Sequence, residues 1–202
     1  MLRSKSPNSV FLTNAEAAVA DVRLSGKHVV TFLGFSGAGY QDLDRLRQII
    51  EKVLAPLDAN TTLVNAGGTS EGIGIVYPIA KSRGFPTVGI VSSLAETDHF
   101  GLSSDADKIY LIADDLWGGF KSDGGLSPTS LAMVAASDEM VAIGGDEIAR
   151  DELSAAMSQN KPVRYIPAEM NHLAARAKAQ KGSQPEPNEF LGAASKLFLP
   201  SA

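Results

Sequence analysis

No cysteine occurs in the 202 residues, which excludes disulfides and thiolate metal sites. Long apolar runs are also missing. None approaches the roughly 18 residues that a membrane helix needs, and the opening MLRSKSPNSVFLTNAEAAV carries no apolar stretch of signal-peptide length. Positive charge is in deficit, with 18 Lys and Arg against 23 Asp and Glu and a formal net charge of −5. No basic field would attract a nucleic-acid backbone along its length, so any phosphate recognition must be local. The histidines His28, His99 and His172 are scattered without ligand spacing, and no metal site is expected. These absences predict a cytoplasmic protein with neither nucleic acid nor a membrane as partner.

The 44% hydrophobic content suffices for one substantial core, and the length falls short of two ordinary domains. A single domain over 1–202 is expected, with its core at about 28–181. Residues 1–27 read as an extension with a short helix capped by Asn14, and 182–202 as a tail. His28 to Phe35 is a nearly continuous, β-branched apolar run, as in a strand buried on both faces. From Asp42 to Leu54 the set Leu43, Leu46, Ile49, Ile50 and Val53 recurs at helical spacing. The same cycle repeats. Strands are predicted at Thr61–Asn65, Thr87–Val91, Lys108–Ala113, Met140–Ile143 and Val163–Ile166. Helices are predicted at Gly72–Arg83, Ser127–Ser137, Glu147–Asn160 and Ala168–Gln180. Pro78 would kink the first of these or delay its start. Asp114 to Leu126, rich in Gly and Asp, reads as a long functional or mobile loop. In the tail, Phe190, Leu191, Leu197, Phe198 and Leu199 suggest docking, with a subunit interface as one option. Alternation at this spacing predicts an α/β, Rossmann-like doubly wound domain: a mainly parallel sheet of about six strands with helices on both faces.

Such sheets bind ligands beyond the carboxyl ends of their strands, where helix N-termini offer free N–H groups. Three strand-ending turns there are rich in glycine, which lets a phosphate or ribose come close, and in hydroxyls. The candidate phosphate- or ribose-binding residues are Gly34, Ser36 and Gly37 in the first turn and Gly67, Gly68, Thr69 and Ser70 in the second. Gly144, Gly145 and Asp146 belong to the third, and Thr129 stands at the start of the helix predicted at Ser127–Ser137. The order Gly34-Phe35-Ser36-Gly37-Ala38 does not match a nucleophile elbow, and no lysine follows as in a P-loop. Asp114-Asp115 ends a strand, either as solvated carboxylates or facing a metal or ribose hydroxyl. Beyond the third turn, Glu147, Arg150, Asp151 and Glu152 crowd the first turns of a helix. Acidic residues suit a helix N-terminus on dipole grounds alone. In the functional reading one carboxylate, Glu152 or Glu147, faces the cleft to bind sugar hydroxyls or activate water, and Arg150 pairs with it or with a phosphate.

From about His28 to Pro167 the order of motifs resembles the SLOG superfamily, which includes the Lonely Guy phosphoribohydrolases, long called lysine decarboxylases. Leu63 to Gly74 (LVNAGGTSEGIG) is similar to that family's glycine-rich second turn, and Ser137 to Leu153 to its segment around P-G-G-x-G-T. Here that segment reads Ile143-Gly144-Gly145-Asp146-Glu147-Ile148, without the proline, third glycine and threonine. The family's arginine before the fifth strand has no counterpart in Ser127 to Met133. The resemblance implies a nucleotide- or ADP-ribose-like ligand, no required cofactor and a homo-oligomer. Three alternatives stand: a binding module; an N-glycosidic hydrolase of nucleoside 5′-monophosphates with Glu152 or Glu147 as the catalytic carboxylate; and a subunit whose pocket has decayed.

Overall fold

The structure, a computed structural model, describes residues 9–199. Seven strands form one wholly parallel sheet: β1 (Ser9–Thr13), β2 (His28–Gly34), β3 (Thr62–Ala66), β4 (Thr87–Ser92), β5 (Lys108–Ile112), β6 (Glu139–Ile143) and β7 (Val163–Ile166). Their order is β1-β5-β4-β3-β2-β6-β7. The chain thus runs outward from β2 to β5, then returns to the other side of β2. That reversal creates a switch point between β2 and β6, where the turns leaving neighbouring strands diverge and open a crevice.

Helices α1 (Ala15–Arg23), α5 (Pro128–Ala136) and α6 (Glu147–Ser158) cover one face, and α2 (Leu43–Leu54), α3 (Val76–Ser82) and α7 (His172–Lys181) the other. A single turn, α4 (Leu94–Thr97), follows β4. Alternation along β2 explains both layers: Val30 and Phe32 join the core with α2 and α3, whereas Val29 and Leu33 join that with α1, α5 and α6. Period-2 geometry sends successive side chains to opposite faces, so a strand between two helical layers must be apolar throughout.

The extra strand is β1, inside the segment expected to be an extension. It pairs with β5 alone, and Val10, Phe11 and Leu12 are exposed. An edge strand needs no continuous apolar run, so its sequence gave little signal. Pro78 occupies the third position of α3, where a missing N–H has no intrahelical partner to lose. A 3₁₀ turn over Gly72–Ile75 delays the α-helix to that point. α7 starts four residues later than predicted, because Asn171 caps it through Ala174 N at 3.0 Å while Met170 bridges to Tyr40. The tail docks on its own chain. A 3₁₀ turn at Ala193–Leu197 packs on α6, Ala194 N donates to Gly145 O at 3.0 Å, and Phe198 stacks on Tyr165 at 5.1 Å.

Candidate functional site

At the carboxyl ends of β2, β3 and β4 lies a cavity of about 250 Å³. Six of the residues proposed from sequence line it: Gly34, Ser36, Gly67, Thr69, Thr129 and Glu152. Two elements carry the polar floor. Ser127 caps α5 through Ser130 N, with Pro128 at the start of the helix, and this sets Thr129 and Ser130 in its first turn. One turn into α6, Glu152 reaches across to Ser130, whose hydroxyl donates to Glu152 Oε1 at 2.7 Å. Ser130 Oγ in turn accepts from Gly119 N at 2.7 Å.

Glu152 is 3% exposed. Burial pushes its carboxyl up to about 8; the Ser130 hydrogen bond opposes that rise and the neighbouring charge of Asp151 adds to it. Burial thus favours the protonated form of Glu152 at neutral pH, while Oε1 accepts from Ser130. Thr129 Oγ1 is buried with no hydrogen-bond partner, a cost of about 1–3 kcal/mol.

The glycine turns serve packing as much as access. A Cβ on Gly34 would stand 1.9 Å from Tyr40 Oη and 2.9 Å from Ile143 O. The space is needed because Tyr40 Oη accepts from Phe35 N at 3.1 Å and donates to Ile143 O at 2.8 Å, tying β2 to β6 at the switch point. Tyr77 repeats the device on the next pair, accepting from Gly68 N and donating to Val88 O, both at 3.0 Å. In the second turn, Ser70 N donates to Gly101 O, Glu71 N to Thr69 Oγ1, and Thr69 Oγ1 to Glu71 O. These donors hold the turn in shape. Gly72 then packs on Phe35 O and Ile73 N donates to the same oxygen at 2.7 Å, so the first two turns are locked together.

The other proposed residues stand outside the lining. Gly37 lies under Phe100, and Ser70 is exposed. The third turn is covered by the tail: Gly192 and Ala194 sit against Gly145, and Gly144 against Phe35 and Ala168. Asp146 pairs with Lys178 at 2.8 Å, and Glu147 is exposed. Arg150 meets Asp151, not a cleft group, at 2.8 Å, while Asp151 Oδ2 accepts from Phe120 N. Asp114 accepts from Thr129 N and Leu116 N, so its carboxylate anchors the start of α5. No cluster of potential metal ligands occurs among the described residues.

What sequence reading missed is the aromatic wall. Trp117, from the loop after β5, meets Phe100, from the loop after α4, with ring centroids 5.3 Å apart at 62°. Both line the cavity, together with the apolar Ile73, Ile90 and Met133. Their signal was the position of large aromatic residues in glycine-containing segments at carboxyl ends of strands. Nor is the loop over 114–126 free, since Gly119 and Phe120 are held by Ser130 and Asp151 and Ser127 N donates to Gly119 O.

No protein-family model matches the chain, and no curated protein matches it significantly. Solved structures do. The molybdenum cofactor binding protein from the phototrophic bacterium Rippkaea orientalis superposes with a TM-score of 0.52 at 19% identity, over 78% of this chain and 85% of that one. TM1055, a structural-genomics protein, gives 0.50 at 23% identity over 67% and 72%. The shared property is the Rossmann-like fold. Among the described residues no helix is long and apolar enough to cross a membrane.

Proposed function

We propose that the chain is a ligand-binding Rossmann-like protein of the SLOG type, holding a nucleotide- or ADP-ribose-like molecule in the cavity at the switch point. The observation that carries this reading is one preformed cavity at the strand ends that gathers Gly34, Gly67 and Thr69 of the glycine turns, the buried Glu152 carboxyl and the Phe100–Trp117 pair. A mostly apolar cavity with a few polar groups, placed at the carboxyl ends of parallel strands, supports a small-molecule site. Motifs from Leu63 to Gly74 and the common fold support the assignment to that superfamily. A protein of the same fold described as binding the molybdenum cofactor supports a small molecule as the occupant.

Binding is favoured over hydrolysis by the protonation state of the floor. A carboxyl that is neutral at pH 7 donates a hydrogen bond but does not stabilise a ribosyl cation. The homo-oligomer implied by the resemblance is part of the same proposal, and sedimentation of the full chain tests it. Thermal shift and calorimetry against mono- and dinucleotides and ADP-ribose test the ligand. A binder present at 100 times its Kd stabilises the native state by about 2.7 kcal/mol. No shift and no heat with any of them at millimolar concentration would refute the reading.

A further inference from the structure

Resting on that reading, we infer that the cavity receives the base of the ligand: an uncharged planar heterocycle lies against the Phe100–Trp117 wall, its polar edge turned to Glu152. The two rings come from separate loops yet meet edge to face across one rim of the cavity. Trp117 is 36% exposed although its ring already has a partner. An aromatic pair left half open to a cavity offers a π-face to any flat ring, whatever its substituents.

The rest of the lining selects against charge. Ile73, Ile90, Val91 and Met133 supply apolar walls, and no described lining residue is Lys, Arg or His. Around Glu152 the charged groups are Asp151 and Arg150 on α6, paired with each other, and Asp114 at the start of α5, committed to Thr129 N and Leu116 N. None of these presents an unpaired cation to the cavity. A phosphate placed inside would be stripped of water with no cation to meet it, which costs far more than turning an apolar ring inward. At the polar edge stands the Glu152 carboxyl, which in its protonated form both donates and accepts. That pairing fits the ring nitrogens and exocyclic groups of a nucleobase. The volume of about 250 Å³ leaves the sugar's outer side and any phosphate toward the exposed first turn at Ser36 and Gly37.

Trp117 is the only tryptophan of the chain, so its emission reports on the wall alone. Purine and pyrimidine nucleosides, the matching 5′-monophosphates and ribose 5-phosphate are titrated in parallel, by fluorescence and calorimetry. The expected result is that at least one nucleoside quenches Trp117 and binds within about threefold of its monophosphate, while ribose 5-phosphate neither binds nor quenches. By calorimetry, Trp117→Ala and Phe100→Leu each weaken that nucleoside about tenfold or more, whereas Trp117→Phe, which keeps a ring, stays within a few-fold. Circular dichroism confirms that each variant is folded, and the Trp117→Phe comparison survives should Trp117→Ala be unstable. If a monophosphate binds but its nucleoside does not, or if the ring-deleted variants bind unchanged, the inference is overturned while the ligand-binding reading stands. If nothing in the set binds, the inference falls, and the dinucleotide and ADP-ribose titrations decide the ligand-binding reading.

Discussion

The Ser130 hydroxyl lies 2.7 Å from Glu152 Oε1, and both residues are buried. Burial, against the pull of that hydrogen bond, is what favours the protonated acid. With a folded value of about 8 against an ordinary 4.5, Glu152 binds its proton more tightly in the native state than in the unfolded one. Its stabilising contribution is complete below about 4.5 and is lost as pH rises through about 8. Within that window one such group gives a slope of about 1.4 kcal/mol per pH unit. Glu152→Gln removes the titrating proton and preserves the Ser130 hydrogen bond, so stability should become flatter between pH 5 and 8. Denaturant midpoints measured across that range compare the two proteins, and an equal decline in both would contradict a neutral Glu152.

A second expectation concerns Tyr40 and Gly34. Tyr40→Phe leaves Phe35 N and Ile143 O without their shared partner, and we expect a loss of about 1–3 kcal/mol. Gly34→Ala forces a methyl to 1.9 Å from the same hydroxyl and should cost more than Tyr40→Phe, because the tyrosine can move only by breaking both hydrogen bonds. Removing the hydroxyl relieves part of that clash, so the double variant should be more stable than the sum of the single losses predicts. Strict additivity in chemical denaturation would show that Gly34 matters for some other contact.

These pairs show which features the sequence made legible. Buried strands such as β2 and β6 announced themselves, since a parallel sheet covered on both faces demands uninterrupted apolar residues. Strand β1 did not, because its one-sided pairing sets no such demand. The glycine turns were recognised as sites of close approach, but sequence does not say what approaches. At Gly34 it is Tyr40 on one side, at Gly145 the chain's own tail, and open cavity borders Gly34, Ser36, Gly67 and Thr69. Glu152 was distinguishable from Glu147 only through burial, which depends on how α6 is rotated against α5. The Phe100–Trp117 pair joins two irregular loops with no periodicity to betray the contact.

Gly192 tests the docking of the tail. Its φ is +74°, and a Cβ there would meet Gly145 O at 2.3 Å and Phe35 Cε1 at 2.7 Å. Gly192→Ala should therefore free the segment that carries Ala194 and Phe198. Hydrogen exchange at the Ala194 amide, protected by Gly145 O at 3.0 Å, should rise at least tenfold. Gly182→Ala is the control: its nearest contact would be Lys178 O at 3.4 Å and its φ is −85°, so exchange at Ala194 should not change. Equal protection in all three proteins would mean that contacts beyond Gly192 hold the tail.

The last expectation separates binding from catalysis. Splitting an N-glycosidic bond through a ribosyl cation calls for an ionised carboxylate beside the sugar and a group that steadies the departing base or the phosphate. Glu152 is the only acid lining the cavity among the described residues, it is protonated at neutral pH, and no described basic side chain lines the same space. Nucleoside 5′-monophosphates incubated with the protein at pH 7 should accordingly yield no free base above background by chromatography. The same assay near pH 9, where Glu152 is ionised, distinguishes a site silenced by its proton from one that lacks the partner altogether. We expect silence at both values, because ionisation supplies the charge but not the missing cation. Release of base that disappears in Glu152→Gln would instead make this carboxyl catalytic and replace the binding reading with hydrolysis.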